Sequence, residues 1–338
     1  MKKVRIISLL LVMTMLLSAC GGGKTSETTS SGTNRNAVFK EITDAYEVDG
    51  DVSQIIAVGD VVYVEQYHYT NDLPQARMDV TATAEIMVEE TASMMEDVII
   101  EEETYPEMMT TRVITGYAKD GTIVSQMEQT MGINSGSGSF TANTDGNIYS
   151  VMYEYASYEE GDTQDRVYLI SFGADGSELW KIQLNENVSE GEYFYVASLF
   201  CDDNNQVIVD SSRGIEVYDG QGNPVKLIEK TSADEARMVR IRDGKFAIIS
   251  SNGSSASIQS LDIQSGVFGE KTTLPFNYYR YMIMNGTQYD VYLSDDYGIY
   301  GYNIGDPELT KVMDYISSDF SSNYLYQACF LDENTFVA

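Results

Sequence analysis

The stretch Tyr168-Leu-Ile-Ser-Phe-Gly-Ala-Asp-Gly-Ser-Glu-Leu-Trp180 holds two apolar runs separated by Gly-Ala-Asp-Gly. Asp-Gly between such runs signals a hairpin, because a tight turn needs positive φ where Gly and Asp tolerate it. The same strand, turn and strand return at Gly116-Tyr-Ala-Lys-Asp-Gly-Thr-Ile-Val and at Ile215-Glu-Val-Tyr-Asp-Gly-Gln-Gly-Asn-Pro-Val. Further copies read Ser260-Leu-Asp-Ile-Gln-Ser-Gly-Val-Phe and Ile299-Tyr-Gly-Tyr-Asn-Ile-Gly-Asp-Pro-Glu-Leu. Between them lies a second phrase, a polar turn followed by a β-rich run. It occurs at Val58-Gly59-Asp60, Thr144-Asp145-Gly146-Asn147, Asp202-Asp203-Asn204-Asn205, Arg242-Asp243-Gly244, Met284-Asn285-Gly286 and Asp332-Glu333-Asn334.

The two phrases alternate, so each period of roughly 40 to 58 residues holds about four short strands and almost no helical pattern, the content of one propeller blade. One blade cannot bury both of its faces alone, so blades must pack around an axis. The expected fold is therefore all-β, a β-propeller of four-stranded blades centred near 60–128, 140–184, 196–229, 237–274 and 280–315, with the start of a sixth. A β-sandwich or an irregular β-solenoid is the alternative. The chain stops at Ala338 inside what should be a new blade. Propellers avoid open edges by closure, so the expectation is that this is the front of a longer protein.

At the other end, Lys2, Lys3 and Arg5 precede an apolar run from Ile6 to Leu17, the layout of a secretory signal peptide and too short to span a bilayer. Leu17-Ser18-Ala19-Cys20-Gly21 follows and resembles the lipobox of bacterial lipoproteins. The resemblance implies cleavage before Cys20, diacylglycerol on Cys20 and attachment to the outer face of the cell membrane. Residues 20–36, mostly Gly, Ser, Thr and Asn, cannot bury enough apolar surface to order and read as a flexible tether to a domain spanning 37–338.

Composition narrows the partners. With 21 basic and 52 acidic residues the formal net charge is −31, a poor match for nucleic acid or anionic lipid. Cys201 and Cys329 sit in strand-like apolar stretches and are expected as buried free thiols, with a disulfide between them as the alternative. Met78 to Thr111 holds ten acidic residues and no basic one, with Met78, Met87, Met94, Met95, Met108 and Met109 among them. It reads as an acidic insertion in the first blade, either solvated or a landing surface for a cationic or apolar partner.

Candidate chemistry is sparse. The oxygens of Asp202, Asp203, Asn204 and Asn205, and of Asp295 and Asp296, lack the spacing of a calcium loop and read as turn formers. His68, the single histidine, excludes a histidine-rich zinc site and looks structural. The 25 tyrosines, including Tyr149, Tyr153, Tyr155 and Tyr158 in one blade and Tyr278, Tyr279 and Tyr281 in another, suit core packing first and sugar or peptide platforms second. No catalytic, metal or cofactor-binding residue is assigned, and Cys20 is the one named site.

Ser171-Phe-Gly-Ala-Asp-Gly-Ser-Glu-Leu-Trp180 also resembles the repeat of quinoprotein-type propellers, and the likeness of the repeat phrase extends over residues 52–338. The chain has one tryptophan, so that family's ring of docking tryptophans is absent and no cofactor is expected. Anchor, tether and acidic propeller together resemble the front of large Gram-positive extracellular solute-binding lipoproteins. That resemblance implies a non-enzymatic binding or scaffolding module for a small molecule, glycan or peptide, with a possible transporter or downstream domain as partner. A surface polysaccharide hydrolase or lyase using propeller carboxylates, and a purely structural lipoprotein, are the alternatives.

Overall fold

The computed structural model describes residues 3–5, 8–11, 39–42, 47–49, 51–70, 109–156, 164–189, 192–230, 235–251, 255–275, 282–295, 298–314, 329–332 and 335–337. It is a β-propeller. Five four-stranded antiparallel sheets follow one another in sequence, each a simple meander. The first is Asp51–Val58, Val61–Thr70, Met109–Ala118 and Ile123–Met131. The second is Ser135–Ala142, Ile148–Glu154, Arg166–Phe172 and Glu178–Gln183. The third is Val196–Cys201, Val207–Ser211, Gly214–Tyr218 and Pro224–Ile228. The fourth is Glu235–Arg240, Phe246–Ser251, Ala256–Asp262 and Val267–Thr273. The fifth is Met282–Asn285, Val291–Asp295, Gly298–Tyr302 and Thr310–Asp314.

The sixth sheet joins the two ends of the chain, in the order Cys329–Asp332, Thr335–Val337, Ser8–Leu11 and Phe39–Ile42. Cys329–Asp332 lies against Asp51–Val58 and closes the ring. Ser8–Leu11 falls within the segment read as an export leader. The two roles exclude each other in one molecule, because cleavage before Cys20 takes that strand out of the sheet.

Each of the four junctions among the first five sheets is a hydrophobic core of its own. Tyr63, Ile114 and Met127 of the first sheet meet Phe140, Ile148 and Ile170 of the second. Val151 and Leu169 of the second meet Leu199, Val207 and Val209 of the third. Ile208, Ile215 and Val217 then meet Met238, Phe246 and Ile248, and Val239, Ile249 and Ile258 meet Val291, Leu293 and Tyr302. Side chains alternate across a strand, so Val207 and Val209 face backwards while Ile208 faces forwards.

The turns explain the sequence signal in detail. At Asp120-Gly121 the amide of Gly121 donates to Ala118 O at 2.9 Å, and Ala118 N donates to Thr122 O at 2.8 Å. This is a three-residue loop whose last residue, Gly121, has φ +85°, and the same form recurs at Gly176 with φ +80°. Only the glycine takes the left-handed conformation. The aspartate instead accepts backbone N–H groups, as Asp120 Oδ1 does from Thr122 N at 3.0 Å and Asp175 Oδ1 from Ser177 N at 3.0 Å.

The tail of one sheet docks on the turn of the next. Gln126 N donates to Ala174 O at 3.1 Å, Trp180 Nε1 to Gly220 O at 2.9 Å, and Lys226 Nζ to Ile263 O at 3.0 Å. Trp180 is thus one version of a link that other residue types make elsewhere. The acidic insertion enters between the second and third strands of the first sheet, and its assigned end needs correction: Met109, Thr110 and Thr111 already belong to the third strand. Residues 71–108 lie outside the described residues.

A buried charge pair pins the first two sheets together. Arg112, fully buried, donates from Nε to Glu65 Oε1 at 2.6 Å, from a terminal nitrogen to Gly138 O at 2.8 Å, and also to Ser150 Oγ. Removing one member leaves an uncompensated buried charge, whereas replacing both with apolar groups of similar volume is often neutral. Arg112→Met is therefore expected to lose about 3–5 kcal/mol in urea unfolding, and Arg112→Met with Glu65→Leu to recover most of it.

Candidate functional site

An antiparallel meander puts alternate connections at opposite ends of the strands. The links between first and second strands, and between third and fourth, share one face of the propeller, here made of tight Asp/Asn/Gly turns. The links between second and third strands, and from one sheet to the next, share the other. That loop face receives the long connections, including 71–108, 155–165, 184–195 and 274–281.

The tyrosines divide along the same lines. Tyr149 is core, buried to 1% exposure with its ring centroid 5.9 Å from that of Trp180. Tyr153 is half-buried, and its hydroxyl oxygen accepts Val196 N at 3.2 Å, tying the second sheet to the third. Tyr155 is 50% exposed and stacks on Tyr153, with centroids 6.3 Å apart and planes 9° from parallel. Next to them Tyr193, 81% exposed, pairs with Tyr195 at 5.8 Å. Core packing thus accounts for Tyr149, and a surface platform for Tyr155, Tyr193 and Tyr195. Tyr158, Tyr278, Tyr279 and Tyr281 lie outside the described residues.

The backbone beneath the first pair is built for it. In Ser135–Ala142 a Cβ on Gly136 would stand 2.7 Å from the Tyr155 hydroxyl, and one on Gly138 would stand 2.9 Å from the Tyr153 ring. The rings therefore lie on bare backbone. Ser137, on the opposite face of that strand, hydrogen-bonds the Tyr67 hydroxyl of the first sheet. The Ser-Gly-Ser-Gly-Ser run at 135–139 was the sequence signal for this arrangement, and it went unread. Beside Tyr193 lies a cavity of about 340 Å³, lined by Asn187, Val188, Glu192, Phe194, Ser212 and Arg213. Arg213 stacks over Phe194 at 5.4 Å and is paired with Glu216.

The second concavity is the central channel, about 370 Å³, to which the first strands of all six sheets contribute. Its polar lining includes Gln54, Ser139, Thr141, Ser198, Arg237, Arg240 and Asn285, and none of its described lining residues is Asp or Glu. Paired-carboxylate hydrolysis, which needs two such groups on either side of a bond, finds none on this surface.

The remaining candidates are placed as follows. Asp202 Oδ1 accepts Asn204 N at 2.9 Å and Gln206 N at 2.7 Å, and Asp203 pairs with Arg240 at 2.8 Å, so this cluster forms a turn as expected. Asp295 ends the second strand of the fifth sheet, and Asp296 lies outside the described residues. His68 is exposed near the end of Val61–Thr70, opposite Thr111 in the ladder. Among the described residues no group of three or more His, Cys, Asp or Glu side chains could hold a metal ion, and no helix is long and apolar enough to cross a membrane.

No family model matches this chain, and no curated protein matches it. Among solved structures, the Dos1 propeller is similar at 12% identity and a TM-score of 0.39, over 66% of this chain and 58% of that one. The Neurospora crassa Pan2 WD40 domain is similar at 14% and 0.35, over 53% and 49%. An oligogalacturonate lyase from Vibrio parahaemolyticus is similar at 10% and 0.40, over 68% and 85%. The chain spans about half the length of the first two. Likenesses this distant say nothing of substrate or activity, and the propeller assignment rests on the sheets themselves.

Cys201 and Cys329 are both buried and free, and burial pushes each thiol up to about 12. Below the ordinary thiol value both states hold these protons. Above it the unfolded chain releases them first, so this contribution to stability is lost as pH rises toward 12. The expected result is no reaction of either thiol with a water-soluble disulfide reagent at pH 8 in the native protein, and full reaction in denaturant. Fast native labelling at either position would contradict the burial.

Proposed function

We propose that this chain is a non-enzymatic, cell-surface binding module, held to the outer face of the membrane by a lipid on Cys20, whose loop face captures a glycan as part of a transport-associated assembly. The observation that carries the binding half is the cluster of exposed tyrosines on one face, Tyr155 stacked on Tyr153 over glycine backbone and Tyr193 paired with Tyr195 beside them. A tyrosine ring offers an apolar surface to the C–H face of a sugar and a hydroxyl to its rim. Tyrosine carries this area with little rotamer entropy to lose, so rings already stacked in the free protein bind at lower ordering cost.

The anchoring half is supported by the order of Lys2, Lys3 and Arg5, the apolar run and Leu17-Ser18-Ala19-Cys20. A single acyl chain binds a bilayer only marginally, and stable attachment takes two chains, which diacylglycerol on one cysteine supplies. A tether of 16 polar residues reaches about 20 Å as a random coil, enough to lift a domain above the headgroups. An acidic surface suits this location, since it is repelled by anionic headgroups.

Two experiments test the two halves separately. Radiolabelled palmitate should enter the membrane-bound protein and be lost with Cys20→Ser, which should also release the chain into the medium; retention of the label would refute the anchor. In affinity electrophoresis through soluble cell-wall and plant polysaccharides, retardation should fall about tenfold for Tyr155→Ala and for Tyr193→Ala, with the thermal midpoint unchanged. Retardation indifferent to both substitutions would sink the platform, and release of shortened glycan would replace binding with turnover.

A further inference from the structure

The central channel holds a cation that no described residue answers. Arg237 lines it from the first strand of the fourth sheet, is exposed to its lumen, and has no hydrogen-bond or ion-pair partner among the described residues. This is unexpected in a chain with 52 acidic and 21 basic residues. Other cations of the chain are engaged: Arg240 pairs with Asp203 at 2.8 Å, Lys230 with Asp210 at 2.5 Å, and Arg112 with Glu65. Asp210, a buried acid of the third sheet, is already engaged. It takes Lys230, the amide of Met238 at 3.0 Å and the hydroxyl of Ser198 at 3.3 Å.

Arg237 also sits at a particular level. Ser139, Ser198 and Arg237 each stand three residues before the end of their first strands, which close at Ala142, Cys201 and Arg240. Equivalent strands around an axis put equivalent positions at one height, so these side chains form a tier. Gln54 and Asn285 add amide groups to the lumen at other heights, four residues before the end and at the end of their first strands. The channel thus joins one unpartnered guanidinium to neutral hydroxyl and amide groups, in a space of about 370 Å³ without a carboxylate among its described lining residues.

We propose that this tier is a binding site for a small monocarboxylate carrying hydroxyl groups, of the size of a monosaccharide acid. A guanidinium matches a carboxylate with two parallel hydrogen bonds. One cation balances one negative charge, whereas a phosphate dianion would leave charge unpaired in a confined space, which is costly. The volume lies at the lower end of small-molecule pockets. The acidic exterior does not forbid this, because charge interactions at physiological salt fall off over about 8 Å and the described lining residues carry no negative charge. The site is independent of the tyrosine platform and stands or falls without it.

Isothermal titration calorimetry of the whole protein with D-glucuronate, D-gluconate and D-lactate tests it, with D-glucose and inorganic phosphate as controls. At least one of the three acids should bind saturably, with one site per chain, and more tightly than either control. Arg237→Gln should weaken that binding about ten- to a hundredfold, with an unchanged thermal midpoint, since the side chain holds nothing in place. Tyr155→Ala and Tyr193→Ala should leave it alone. Should Arg237→Gln fail to fold, Arg237→Lys, which keeps the charge but loses the two-pronged geometry, should still weaken binding. The proposal is overturned if none of the three acids binds, if phosphate binds more tightly than all of them, or if binding survives loss of the guanidinium.

Discussion

Burial of the middle strands on both faces is the constraint on which the rest of this structure depends. In the third sheet every residue of Val207–Ser211 and of Gly214–Tyr218 is buried, whereas no residue of Val267–Thr273, an outer strand, is buried. A strand enclosed on both sides reads as a near-continuous apolar run rather than an alternating one. Such a sheet cannot be stable against water on either side, so each needs two neighbours and the arrangement must close on itself. The stacking of Tyr292 on Phe330 at 3.8 Å shows the last junction obeying the same requirement.

Two-sided burial also decides where polar groups can go. A charge on a middle strand must be answered across the junction, and Arg112 and Glu65 lie on neighbouring strands of the first sheet with Ser150 and Gly138 supplied by the second. Asp210 repeats the arrangement two junctions further on, accepting an amide from the fourth sheet while paired with Lys230. Apolar junctions are tolerant of exchange, because one Val/Ile surface resembles another. Buried polar contacts are not, and in this chain they identify which sheet sits beside which, in keeping with a role in specificity over net stability.

The alternating phrases made the sheets legible because turns are local: a Gly at positive φ and an Asp bonding its own backbone need only a few consecutive residues. The sixth sheet was less legible, since pairing Ser8–Leu11 with Thr335–Val337 joins opposite ends of the chain. The candidate sites were hidden for a related reason. Tyr149, Tyr153 and Tyr155 follow one another in sequence with the same two-residue or four-residue spacing that would put them all on one face, yet one is core, one half-buried and one exposed. What separates them is position along the strand, from the crowded middle to the open loop end. Arg237 was invisible for the opposite reason, as a charge in a chain full of charges becomes notable only once its neighbours are known.

The acidity of the chain is distributed in a way that sharpens this last point. Asp120, Asp175, Asp219 and Asp262 all lie at turns and accept hydrogen bonds from neighbouring groups, which holds each carboxyl below its usual value. These charges therefore belong to the turn face for architectural reasons, wherever Asp-Gly or an equivalent closes a hairpin. A further block of ten belongs to the insertion at 78–111. The channel is lined by the first strands, whose residues are chosen for packing at the junctions, and so it receives none of this negative charge among its described lining residues. A protein can thus carry a net charge of −31 and still present a locally positive interior. Net charge describes how the molecule meets other macromolecules, and the side chains that line a cavity describe what can enter it.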